Sequence, residues 1–546
     1  MKARRLEKLG GAVLCAALCM GPVAVMAGVI VGTGAAPSRT SLGATDAVGY
    51  SVSESNPGHS LMFPYFTVQG GQMSVLHLVN TDSQNGKLVK LRFRGAGNGD
   101  SLLSFLVLLS PADVWTGAIT AGADGLAQLT TSDNTCTFPT LTRGIAQPFK
   151  VDRLNPAWSQ SVLNNNTREG AVEAVLAADI PSARVYGAQG NERSKLYEAI
   201  RLLSGAAPCT ATEPSAAFLG DLLTRDIAHE SDAASNGLAT PSGGLAGTWY
   251  IIDVPGSTTF SGAAKAVRAV NGAGKTARGN FVLFPQTDAV VGQPELYTSD
   301  PLLVSAGFSA RSKDAAGSTS APTTAQVIEA KFHDLPDLST PYYLPPSNPN
   351  ARKTAGDLSK LLETTTIFNQ YAVDASISAK TDWILSMPTK RYSVGYDYSQ
   401  PAESASVFSV VGADRQYFFS SGAGRTIANN ATQVCSQHDG YRDMDREGTI
   451  SWQVPVATAP STAILNCGVV SLLAFGTGPS TFSSSVSRHN LTSVFANGWM
   501  SIPTVNGAPD SGLPIIGGAF IKLTNPGARP GIAGNYGISY PHLTSQ

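Results

Sequence analysis

The chain has 546 residues, of which only 14 % are charged, with 38 Lys and Arg balanced by 39 Asp and Glu. That balance excludes the strongly basic surface of a nucleic-acid-binding protein, so no nucleic-acid partner is expected. The length exceeds what one ordinary hydrophobic core organises, and two or more domains are expected.

Residues 1–27 read as a signal peptide. Lys2, Arg4, Arg5 and Lys8 precede an apolar stretch, and Val25-Met26-Ala27 forms a small-x-small cleavage site. Glycines and Pro22 interrupt the stretch, which opposes a membrane anchor, and Leu14 and Leu18 stand before Cys15 and Cys19 where lipidation needs a small residue. The mature chain is expected outside the cytoplasm. Four cysteines then remain, and an oxidising compartment favours two disulfides. Pairing neighbours in sequence joins Cys136 to Cys209 and Cys435 to Cys467.

Residues 28–59 are rich in Gly, Ala and Ser and are expected to be flexible. Order is expected from residue 60, with strands over 60–68 and 73–80. Residues 88–94 alternate apolar and basic side chains (Leu88, Lys90, Leu91, Arg92, Phe93, Arg94), the mark of a strand with one wet face. Strands follow at 102–109, 170–177 and 249–254, and helices at 192–203, 214–224 and 357–363. Residues 305–325 read as a Ser/Ala/Thr-rich surface loop, as do 341–350. Strands resume at 326–332, 368–373, 383–387, 407–411, 450–456 and 469–475, with an edge strand or a strand of close backbone approach within 512–520. The expected fold is mainly β: antiparallel, immunoglobulin-like β-sandwich domains over 60–304 and 326–546, with a few short helices in insertions. No segment of the mature chain suits a transmembrane helix.

The chemical motifs are sparse. Ala269-Val270-Asn271-Gly272-Ala273-Gly274-Lys275-Thr276 has relaxed P-loop spacing, but it lacks the buried strand before and the helix after, and reads as a glycine turn. Asp443, Asp445 and Glu447 alternate before Gly448, as oxygens do in the first half of a calcium loop. Val454 stands where that loop needs its closing acid, and Arg442 and Arg446 could instead neutralise the three in a solvated turn. These three acids are the candidate metal ligands, and calcium the candidate ion; no other cofactor is expected. The seven histidines form no zinc spacing, and no GxSxG elbow is present. Asp334 and Asp337 read as loop residues rather than a glycosidase pair. No catalytic residue is assigned, and the chain is read as a non-enzyme.

Several phrases occur together: Phe63-Pro64-Tyr65-Phe66-Thr67 with Val79-Asn80-Thr81, Leu109-Ser110-Pro111-Ala112-Asp113-Val114-Trp115-Thr116, Thr381-Asp382-Trp383-Ile384-Leu385-Ser386-Met387-Pro388-Thr389-Lys390, Asp445-Arg446-Glu447, and Gly512-Leu513-Pro514-Ile515-Ile516 with Gly534-Asn535-Tyr536-Gly537. This set resembles a group of exported proteobacterial proteins labelled as cell-surface or surface-layer-like. The resemblance implies a surface location and lattice assembly, and brings no catalytic residues. The expected role is structural, with further copies of the chain as partners and cell-envelope glycan as another. Two alternatives stand beside it: a secreted glycan- or protein-binding module using Trp115, Trp158, Trp383 or Trp499, and a secreted hydrolase with a dispersed active site.

Overall fold

The computed structural model describes residues 28–53, 57–155, 157–182, 185–186, 191–210, 213–286, 309–312, 335–343, 351–392, 394–396, 407–411, 426–429, 433–438, 440–453, 464–476, 480–504 and 512–545. The signal segment, the expected strand at 326–332 and Asp334 lie outside them. The fold is mainly β, with 47 % strand against 13 % helix, so sheets supply most of the surface that builds the core.

A seven-stranded antiparallel sheet is central. Its order is Gly49–Ser53, Lys265–Val270, Ser60–Thr67, Glu169–Ile180, Gly86–Gly95, Ser101–Leu109 and Cys136–Phe138. A six-stranded antiparallel sheet shares one apolar cluster with it. That sheet runs Gln147–Pro148, Ala127–Thr130, Val114–Ala121, Gln72–Asn80, Leu245–Asp253 and Thr258–Ala263. Strand alternation sends Val89, Leu91 and Phe93 of the central sheet against Leu76, Trp115 and Ile251 of the other. On the opposite face of the central sheet, Leu88, Leu106 and Val175 join Leu196, Leu222 and Leu223 of the helices Lys195–Ile200 and Glu213–Thr224.

The strand Gly86–Gly95 therefore has no wet face. Lys90, Arg92 and Arg94 are buried along with the apolar residues between them. The reason is tertiary. Glu173 on the neighbouring strand and Asp337 on a covering segment supply counter-charges: Arg94 Nε lies 3.3 Å from Glu173, and Arg391 Nη1 and Nη2 lie 2.8 Å from Glu173 and 3.1 Å from Asp337. Burial would raise the Asp337 carboxyl, but Arg391, Arg92 and Arg94 outweigh it and hold it below the ordinary range. Asp337 is thus a structural ion-pair partner.

Two five-stranded sheets lie towards the C-terminus. One runs Arg488–Leu491, Val470–Phe475, Lys380–Ser386, Ile516–Arg529 and Ile532–Pro541, its first pair parallel. The other runs Ile450–Gln453, Tyr441–Met444, Asn497–Pro503, Thr366–Ala372 and Leu543–Ser545. Trp383, Leu385, Phe475, Met500 and Ile502 pack between them. Ile384, Leu472 and Phe520 point the other way, into the cluster of the first two sheets. Residues on both sides of 305–325 thus share a core.

Several expectations differ from the structure; Pro341, Tyr342 and Tyr343, in the expected surface loop 341–350, are buried because both tyrosines pack into the cluster beneath the central sheet. Within 28–59, Val29–Ile30 and Gly49–Ser53 are strands, and Leu42 and Ala47 are fully buried, because this segment closes the edge of the central sheet and its apolar cluster. Within 305–325, Ser309–Ser312 pairs with Val407–Val411; ladder bonds come from the backbone, so small polar side chains do not prevent them. The antiparallel sheets are wider than those of an immunoglobulin-type domain, so that part of the expectation is not carried over.

Candidate functional site

The hairpin carrying the acidic motif organises one exposed sheet face. Its register is Tyr441 opposite Gln453, Arg442 opposite Trp452, Asp443 opposite Ser451 and Met444 opposite Ile450. Alternation turns Tyr441 and Asp443 inward and Arg442 and Met444 outward. Across the sheet the same outward row continues from Trp452 and Arg442 through Ser501 and Phe368 to Leu543. A second row holds Ile450, Met444, Trp499 and Gln370. The large apolar members stand in solvent: Ile450 is 59 % exposed, Trp452 51 %, Leu543 57 % and Trp499 39 %. The Arg442 guanidinium covers one side of the Trp452 ring. Single exposed hydrophobes are ordinary, but several on one registered face form a patch of the kind that marks interaction surfaces.

The three candidate calcium ligands do different jobs. Asp443 is fully buried beneath the patch and accepts hydrogen bonds from the Tyr371 hydroxyl, from Ser493 Oγ at 2.8 Å and from the Val494 amide at 2.9 Å. Burial, reinforced by the bond to Asp443, raises the Tyr371 phenol far above its ordinary range. Asp445 caps the hairpin turn, accepting from the amides of Glu447 at 2.9 Å and Thr449 at 2.7 Å, while Gly448 takes φ +88° to close it. Glu447 is exposed. Among the described residues no three His, Cys, Asp or Glu side chains gather as metal ligands.

The tryptophans divide sharply. Trp115 and Trp383 are fully buried core residues, and Trp158 packs partly buried at the edge of the first core. Only Trp499 of the four joins the exposed face. Trp452 was not singled out from sequence, although Ile450-Ser451-Trp452-Gln453 carries the relevant signal, a strict alternation. Alternation gives two faces and does not say which one meets solvent.

The cysteines are bonded as Cys136–Cys209 and Cys435–Cys467. The second pair are direct cross-strand neighbours. Contrary to the expectation, a buried strand, Lys265–Val270, does precede the glycine turn, because it pairs inside the central sheet; Lys275 lies in the turn between Val270 and Thr276, where Asn271 Oδ1 accepts from the amides of Ala273 at 3.0 Å and Lys275 at 3.1 Å, and no helix opens after it. His77 lies on a strand face, bonded to Thr116 at 2.9 Å. No described helix is long and apolar enough to cross a membrane. Comparison with family models, curated proteins and solved structures finds no match.

Proposed function

We propose that the chain is an exported structural protein of a bacterial cell surface that associates with further copies of itself through the outward aromatic face. The observation that carries this reading is the registered set of Ile450, Trp452, Trp499 and Leu543 on one sheet face in water. Burying such residues is favourable at about 25 cal/mol per Å² of apolar area. A second copy is the occupant favoured by two further features. The strand Ile450–Gln453 is an edge of its sheet, and an edge strand offers backbone groups for pairing with another chain. The chain is also nearly neutral, so like copies repel one another weakly. The two disulfides accord with an oxidising compartment.

The test is the mass and shape of the purified mature chain, by light scattering and negative-stain microscopy. Sheets, tubes, filaments or closed oligomers are expected, and Trp452→Ser with Trp499→Ser should return them to monomers. A wild-type chain that stays monomeric at high concentration would refute the reading.

A further inference from the structure

We infer that Asn271 is a self-modifying residue, converted to aspartate and isoaspartate when the next backbone amide attacks its side chain. The inference is independent of the association reading above. Such a conversion is favoured by an unengaged backbone nitrogen, by room for a cyclic imide and by stabilisation of the negative oxygen formed on the way. The turn after the strand Lys265–Val270 supplies these three.

The turn is pinned at its base. Val270 bridges Thr276, the Asn271 amide donates to the Lys275 carbonyl at 2.9 Å, and the Gly274 amide donates to the Asn271 carbonyl at 2.9 Å. Within it, Asn271 Oδ1 accepts from the amides of Ala273 at 3.0 Å and Lys275 at 3.1 Å. Two backbone donors at this distance are the arrangement that stabilises an oxyanion where one develops. The Gly272 nitrogen has no hydrogen-bond partner among the described residues. Gly272 is exposed, and a Cβ placed on it would meet nothing within 4 Å. Having no side chain, it leaves the approach to Asn271 Cγ open.

Asn-Gly also occurs at 85, 98, 236 and 497 among the described residues, and at each of these the glycine is buried. Two of the attacking amides are engaged: Gly99 donates to the Gly95 carbonyl at 3.0 Å, and Gly237 to the Ala234 carbonyl at 3.0 Å. Two of the leaving amides are held: Asn85 Nδ2 donates to Asp82 at 2.9 Å, and Asn236 Nδ2 to the Asp232 carbonyl at 2.7 Å. The tertiary structure therefore singles out Asn271 from a set that the sequence leaves equal.

The Gly272 nitrogen gives its proton to solvent base and bonds to Asn271 Cγ. The carbonyl electron pair moves onto Oδ1, facing the two amides, and returns as the Cγ–Nδ2 bond breaks. Nδ2 takes a proton from water and leaves as ammonia. Water then opens the imide at either carbonyl, giving aspartate or isoaspartate. The aspartate suits the turn, because its carboxylate accepts from the same two amides.

The experiment follows the full mature chain, disulfides intact, in mildly alkaline buffer, beside the same chain reduced and unfolded in urea. Peptide mapping by mass spectrometry reads the amide-to-acid conversion at each asparagine. Folding should slow conversion at Asn85, Asn98, Asn236 and Asn497 by about tenfold or more, and leave Asn271 as fast as in the unfolded chain or faster. Gly272→Val should fold, because the position faces open space, and circular dichroism verifies this. Its Asn271 should convert about tenfold more slowly than in wild type, or slower still. Protection of Asn271 by folding to the degree seen at the other four overturns the inference, and so does an unchanged rate in folded Gly272→Val.

Discussion

The guanidinium carbon of Arg442 stands 3.8 Å from the centroid of the Trp452 ring, its direct neighbour across the ladder. The guanidinium covers one side of the indole, and Trp452 is still 51 % exposed. Arg442→Ala should cost about 0.5–1 kcal/mol, the value of an exposed cation–π contact. It should also free the indole, visible as a red shift of its fluorescence relative to a Trp452→Phe control. An unchanged spectrum would show that the contact does not persist in solution.

Beneath that face, Asp443 and Asp445 should differ in weight. Asp443 is buried and receives three donors, so Asp443→Asn turns an amide N–H₂ towards groups that donate. A loss of about 1–3 kcal/mol is expected in denaturant titration. Asp445→Asn at the solvent-facing turn should cost less. Melting curves in chelator and in millimolar calcium should coincide; a rise with calcium would show that the turn holds the ion.

Glu173 joins Arg94 and Arg391 inside the protein. Removing its charge leaves two guanidinium groups with one fewer counter-charge in a low-dielectric site. Glu173→Gln should destabilise by about 3–5 kcal/mol, as for other broken buried pairs. A loss under 1 kcal/mol would mean that water reaches the cluster.

Asp382 gives a pH signature. It is fully buried; the Phe482 amide donates to Oδ2 at 2.8 Å, and Oδ1 has no hydrogen-bond partner among the described residues. Burial pushes its carboxyl up to about 7, against the opposing pull of the Phe482 hydrogen bond. Between the ordinary value of 3.8 and about 7, the folded chain holds a proton that the unfolded chain has released. This group's contribution to stability therefore falls as pH rises across that window and levels off above it. His59 and His542, lowered by burial to about 3 and about 4, slope the other way below pH 6.5, since acid charges them first in the unfolded chain. The clean readout is the difference between wild type and Asp382→Asn. It should change by several kcal/mol from pH 4 to 7, and a flat difference would place a neutralising partner at Oδ1.

Reduction should act through loop closure. The two bonds span separations of 73 and 32 residues, and the chain-entropy model gives each about 4 kcal/mol. Dithiothreitol should lower the melting temperature, and the paired Cys→Ser variants should reproduce the effect separately. Non-reducing peptide mapping checks the connectivity.

The strand-rich character, the cysteine pairing by proximity and the longer apolar strands from residue 60 on were legible in the chain, whereas many strands, among them Val114–Ala121, Lys265–Val270 and Asn497–Pro503, were not. Period-2 patterns and turn residues are local, and a strand needs little more than these to be recognised. Helix extents were less legible: the helix expected at 357–363 is Ala351–Leu361, followed by a short strand at Glu363–Thr364. What a face meets was not legible at all. Lys90, Arg92 and Arg94 have the pattern of a wet face and lie inside, because Gln286 accepts from Lys90 and because Glu173, Asp337 and Arg391 come from distant parts of the chain to form a charge network with the arginines. Ile450 and Trp452 have the pattern of a core face and lie outside, because their hairpin directs Asp443 inward to the Tyr371 hydroxyl and the Val494 amide. The exposed aromatic face depends on such long-range choices. Alternation creates two faces in every strand, and only the partners that tertiary packing brings decide which of them remains in water.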